Sequence, residues 1–258
     1  MKIRVWKSLA RGVLLDAIRR KDLWVVGILG FLVVLCAGAL GFFGFDGLEV
    51  FAKDLAVSVL GGFSTIVAIM VSSRGMTEEI KNRTLYPLLA RPISRFDLLF
   101  GKFVGAVVAT WVSFLILAAM TGIALSFFHV HFEAVTLQYL FLKMIGLTLV
   151  CAVGQTLSLV MTNSAAITTS LIVAFGSTLI TRALGMGYSS APPSMQAFFK
   201  ALNAVLPQYG LFDIGSRVSY SGWGTAPLWV VGALTAYAVA YCGFMFILGW
   251  TKFNKQAI

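Results

Sequence analysis

Six stretches of roughly 19 to 26 residues, each almost free of charge, divide this chain: about 23–45, 55–73, 103–128, 140–161, 165–186 and 226–250. A helix crosses the roughly 30 Å hydrocarbon core of a bilayer with about 20 consecutive apolar residues, so each stretch is long enough to span. Composition agrees. Of 258 residues, 59% are apolar and only 12% charged, against about 25% charged in an ordinary soluble domain. A water-soluble globule, a disordered chain and a coiled coil are excluded. The expected fold class is all-α: a polytopic membrane protein with six transmembrane helices, forming one transmembrane domain over 23–258 after a separate segment at 1–22.

The net charge of +10 comes from 20 basic and 10 acidic residues. Their placement matters more than the total, because cytoplasmic loops collect Lys and Arg. With the N-terminus inside, fifteen basic residues are cytoplasmic: seven within 2–22, then Arg74, Lys81, Arg83, Arg91, Arg95 and Lys102, then Lys252 and Lys255. The outer side holds only Lys53, Arg182, Lys200 and Arg217, while Lys143 lies inside the fourth span. Both termini are therefore expected in the cytoplasm. The basic excess serves topology, so the lipid bilayer is an expected partner and nucleic acid is not.

Between the cations of 2–22 run Trp6, Leu9, Ala10, Val13, Leu14, Ala17 and Ile18, spaced as one face of a helix. A basic amphipathic helix of this kind lies in the membrane interface. Cys36, Cys151 and Cys242 fall inside apolar runs without metal-like spacing, so neither a disulfide framework nor a metal centre is expected. The first apolar run lasts about 23 residues, too long for the apolar region of a cleavable signal. Trp24, Trp111, Trp229 and Trp250 lie near expected span ends as interface anchors.

The informative segment is 74–102, RGMTEEIKNRTLYPLLARPISRFDLLFGK. Thr77 is expected to N-cap a short helix, with Glu78 and Glu79 in its first turn and Lys81 and Arg83 later, as the helix dipole favours. Pro92 ends that helix at or before Arg91. Ser94 then caps a second helix, with Asp97 three residues on in the place of a capping-box Glu, and this helix leads into the third span. Two ordered helices at the cytoplasmic face read as a docking surface.

Glu79, Thr84, Leu85, Leu88, Leu89, Pro92, Ser94, Arg95, Gly101 and Lys102 follow the pattern E-x4-T-L-x2-L-L-x2-P-x-S-R-x5-G-K. This resembles the permease subunits of ABC-2 type transporters, in the six-span single-permease group. Arg83 stands where that family often has Gly, which bears on local turn geometry. Leu206-Pro207 followed by Phe212-Asp213 is a second match. The resemblance implies an exporter in the prokaryotic cytoplasmic membrane. It implies a coupling helix between spans two and three that sits in a cleft of the ATPase subunit. It also implies two ATPase copies and a second permease chain, either identical or a paralogue. The ATPase-coupling residues are then Glu78, Glu79, Arg83, Thr84, Leu88, Leu89, Pro92 and Arg95. The chain has no G-x4-G-K-[ST] phosphate loop. It is therefore expected to be non-catalytic and to hold no cofactor, with ATP and Mg bound on the partner.

Other readings compete. Glu78-Glu79-x3-Arg83 and Phe127-x3-His131 match elements of the CAAX-protease-like intramembrane family, but a whole span of about 30 Å separates them. A membrane anchor of an ATPase, without transport of its own, is a further alternative. His129, His131 and Glu133 form either a metal site or, as favoured, a plain polar turn. Lys143 either lines a substrate path or snorkels outward. Arg182 is a second candidate for the path or outer gate. Asn163 and Gln155 are expected to bond between helices, and Gly101-x3-Gly105 permits close helix approach, including between two chains. Met195–Leu206 has helical apolar spacing after Pro192-Pro193 and is expected as a short amphipathic helix re-entering the outer leaflet.

Overall fold

The computed structural model describes residues 2–19, 27–28, 30–32, 48–81, 94–126, 133–188, 192–219 and 224–255. Those residues form α1 (Lys2–Arg19), α2 (Leu48–Lys81), α3 (Arg95–Ser126), α4 (Ala134–Ser158), α5 (Asn163–Tyr188), α6 (Pro193–Val205), a 3-10 turn (Tyr209–Phe212), α7 (Gly215–Ser219) and α8 (Leu228–Lys255). No strand occurs among them. Five of the helices are long and apolar enough to cross a membrane: α2, α3, α4, α5 and α8. The first expected span, 23–45, lies outside the described residues except for helical positions at 27–28 and 30–32.

The helices start and stop where local chemistry directs, with two corrections. Ser94 caps α3 as expected: its hydroxyl accepts from the Asp97 backbone N–H at 3.0 Å and donates to Asp97 Oδ2 at 2.6 Å. No helix starts at Thr77, by contrast, because α2 runs unbroken from Leu48 through Lys81. No proline interrupts 74–81, and extending a formed helix avoids the cost of nucleating another. The interval between the first two expected spans, 46–54, is likewise helical from Leu48 onward, which places Lys53 and Asp54 on α2. The 34 residues of α2 reach about 51 Å, well beyond the hydrocarbon core.

Burial sorts the bundle into centre and rim. The buried share of each apolar window falls from 56% in α4 to 44% in α2 and α3, 22% in α5 and 6% in α8. The centre is therefore α4 with α2 and α3, packed through Leu60, Ile69, Phe114, Tyr139, Leu147 and Cys151. Trp111, expected near a span end, instead lies in the middle of α3. There its indole donates to Met144 O at 3.0 Å and to Thr148 Oγ1 at 3.3 Å on α4. Trp229 and Trp250 do lie exposed near the two ends of α8. α8 rests mainly on α4, through Leu149, Val153 and Ala238, with Phe212 inserted from the 3-10 turn. A side chain at Gly146 would meet Phe212 Cβ at 2.9 Å, so the glycine is what admits that ring.

The amphipathic α1 packs on α3. Gly101 faces Leu9, and a Cβ at Gly105 would lie 2.9 Å from Ala10 Cα and from Val13 Cβ. The G-x3-G pair therefore seats α1 of the same chain, not a second copy. The 195–206 segment forms a helix as expected, α6. The 3-10 turn and α7, which follow it, had no separate signal in the sequence.

Candidate functional site

The loops gather the polar groups at two ends of the bundle. One end carries α1, the last turn of α2, the starts of α3 and α5, and the ends of α4 and α8. The other carries the starts of α2, α4 and α8, the end of α3, and the segment from α6 to α7.

At the α1 end, side chains reach across to backbone carbonyls. Lys102 is only 5% exposed and donates from Nζ to Gly75 O at 2.9 Å, joining α3 to α2 just before the last turns of that helix. Gln155 of α4 donates to Leu99 O at 3.0 Å. Arg95, in the first turn of α3, donates from Nη1 to Phe253 O (3.3 Å) and Asn254 O (3.2 Å), with its guanidinium 6.0 Å from the Phe253 ring centre. A cation at a helix C-terminus bonds the last carbonyls and complements the helix dipole. Trp6 of α1 donates to Asp97 Oδ1 at 3.0 Å and meets Phe100 edge-on at 4.8 Å. Phe96 and Phe246 extend this aromatic cluster to α8.

The residues expected to couple an ATPase divide three ways. Glu78 and Glu79 occupy the end of α2, and only their place in the helix is described. Arg83, Thr84, Leu88, Leu89 and Pro92 lie outside the described residues. Arg95 is described and is engaged by this chain's own last helix. Asp97 and Lys102, which sequence reasoning gave only a cap and a pattern letter, are the buried connectors.

At the opposite end, Lys143 of α4 forms an ion pair with Asp213 at 2.8 Å, their side chains 12% and 40% exposed. Asp213 also accepts from the Gly215 backbone N–H at 3.1 Å, which fixes the turn before α7. Gly61 makes room for the pair: a Cβ there would lie 3.0 Å from Lys143 Nζ. Lys143 is thus bound to the Phe212-Asp213 motif rather than snorkelling alone. The signal was present, since an intramembrane cation seeks an opposite charge and this motif supplies one on the same side. Asp54 accepts from Ser219 Oγ at 3.1 Å, and Gln138 holds both the N–H (2.7 Å) and the carbonyl (2.8 Å) of Ala226 before α8. Of Arg182 only its place in α5 is described, and His129 and His131 lie outside the described residues. Among described residues no His, Cys, Asp or Glu cluster suits a metal. A cavity of about 420 Å³ opens between the starts of α2 and α4, the end of α3 and α7.

Of the protease-like elements only Glu78 and Glu79 are described, by their place at the end of α2; Arg83, Phe127 and His131 lie outside the described residues. No curated protein matches the chain. A family model described as "ABC-2 family transporter protein" matches residues 18–185, from the end of α1 through most of α5. With well over half its length matched in this way, the chain belongs to the ABC-2 transporter family.

Proposed function

We propose that this chain is the transmembrane permease subunit of an ABC exporter, powered by two copies of a separate ATPase that bind ATP and Mg. The family supports a membrane subunit, normally non-catalytic, that works with an ABC ATPase. The observation that carries the reading is the construction of the α1 end. α2 continues past its apolar window, which ends at Met76, and holds Glu78 and Glu79 in its last turn. Lys102 ties α3 to α2 beside that extension, and α3 is bonded in turn to α1 and α8. A push on the segment from Glu78 to Arg95 is therefore shared by four helices.

In this reading the α1 end is cytoplasmic, the opposite end is external, and both termini are inside a six-span topology in the prokaryotic cytoplasmic membrane. A second permease chain, identical or paralogous, completes the pathway. The little-buried faces of α5 and α8 leave area for it and for lipid.

The test is a double substitution, Glu79→Ala with Arg83→Ala, in permease co-expressed with its ATPase. We expect the ATPase to keep its own turnover, to co-purify poorly, and to lose its response to the permease. Unchanged co-purification and unchanged response would refute the assignment.

A further inference from the structure

The cavity at the end opposite α1 is unlike the rest of the packing. Protein interiors carry few voids larger than a water molecule, and two other cavities among the described residues hold only about 10 Å³ each. This one holds about 420 Å³. It follows the helices. Its walls come from 53–60 of α2, 118–125 of α3 and 133–140 at the start of α4, about 10 Å along each. Ala56, Ala118, Gly122 and Ala134 leave room that larger side chains would fill.

What the wall offers an occupant is hydrocarbon. Its polar members make no demand on a ligand. Lys53 lines the cavity but is engaged within the chain, and Glu133, at the outer level, is exposed. Tyr139 donates its hydroxyl to Val57 O at 3.2 Å. Thr121 and Thr136 complete the polar lining, and a threonine hydroxyl on a helix commonly bonds a carbonyl of the preceding turn. Deeper, toward Leu60, Ala118 and Leu140, the lining is aliphatic. A buried water needs two to four polar partners, whereas an apolar cavity stays dry, and one of about 150 Å³ takes up benzene. A polar ligand group pushed to that depth would lose its hydration without recompense. The cavity also reaches the bundle surface, since Leu137 belongs to its lining and is 72% exposed. α4 is apolar and long enough to cross a membrane, so lipid tails are the solvent beside that opening. Entry from the side, then a course along the helices, asks for a flexible chain rather than a rigid ring system.

We infer that this cavity binds an alkyl chain, which enters beside Leu137 and lies along the helices with its end toward Leu60, Ala118 and Leu140. The chain belongs to a bilayer lipid or to a free amphiphile, and the wall meets the same hydrocarbon in both. The inference goes beyond the exporter reading and does not rest on it.

The purified chain in lipid nanodiscs is exposed to three photoreactive probes. One is a phosphatidylcholine in the disc with a diazirine near the end of one acyl chain. The second is a fatty alcohol with the same group at the same place, added from water, and the third is a diazirine steroid. The alkyl probes should label Ala56, Leu60, Ala118 and Leu140 several-fold more strongly than the exposed Val239 and Ile247 of α8. Labelling by the phospholipid identifies a bilayer chain as the occupant, and labelling by the alcohol alone identifies a free amphiphile; both support the site. Ala118→Trp, which fills the cavity, should abolish the excess and leave the α8 labelling unchanged. Gly122→Leu provides a second blockade if the first variant is poorly folded. Cavity labelling no greater than that of α8 with either alkyl probe, or insensitive to both blocking variants, would overturn the site. An equal or greater excess with the steroid would overturn the alkyl assignment. No ATPase is present, so either failure leaves the exporter reading untouched, and failure of the coupling experiment leaves the labelling unchanged.

Discussion

The two ends of this bundle are fastened by different chemistry. At the α1 end, cationic and amide side chains donate to backbone carbonyls: Lys102 to Gly75, Arg95 to Phe253 and Asn254, Gln155 to Leu99. Each of these bonds fixes a helix backbone, and Gly105 adds close approach to the Ala10 backbone of α1 while Gly101 receives the Leu9 side chain. The opposite end has its own side chain-to-backbone ties, Gln138 to Ala226 and Tyr139 to Val57 O. Beside a large cavity it adds an ion pair, Lys143 to Asp213, and a hydroxyl–carboxylate bond, Ser219 to Asp54, where the α1 end has the indole–carboxylate bond of Trp6 to Asp97. Backbone-directed ties suit a frame that receives force. An ion pair that separates without unravelling a helix suits an end that opens.

That contrast can be broken most forcefully at Gly105. Gly105→Leu places carbon against the Ala10 backbone, which cannot rotate away. We expect a loss of about 1–3 kcal/mol, with α1 leaving its seat, read as a lower melting midpoint and a changed Trp6 environment. Gly61→Ala at the other end meets only the flexible tip of Lys143 and the Tyr139 hydroxyl, so its effect should be clearly smaller. Equal effects would erase the distinction between frame and gate.

The ion pair comes next. Lys143→Met and Asp213→Asn should each destabilise the chain, and the double variant should lose less than the sum. The coupling should be about 1 kcal/mol, toward the low end for contacting pairs because Asp213 is partly exposed. Additive effects in a melting cycle would show that the pair holds nothing. The smallest effect belongs to Ser94→Ala, about 0.5–1 kcal/mol from loss of the α3 cap. Unaltered melting there would mean that the contacts of α3 with α1 and α8 already fix its start.

What was legible in the sequence was local. The Ser94–Asp97 box is written within four residues, the apolar spacing of 195–206 predicts α6, and long apolar runs announce spans. Thr77 misled because a capping residue signals a helix start only where the preceding chain is not already helical. The partner of Gly101 and Gly105 was not readable, since small residues permit close approach without naming what approaches. The Lys143–Asp213 pair joins residues 70 apart in the chain, and only folding brings them together. Lys53, expected outside the second span, lies on α2 because that helix begins at Leu48.

The central claim is that the end of α2 is a cytoplasmic handle for a separate motor. Its most direct test is a single Glu79→Cys in a chain whose Cys36, Cys151 and Cys242 are replaced by Ala, probed with a membrane-impermeant maleimide. The account predicts labelling in inverted vesicles, none in intact cells, and protection when the ATPase is bound. Labelling from the outside of intact cells, or accessibility indifferent to the ATPase, would contradict it.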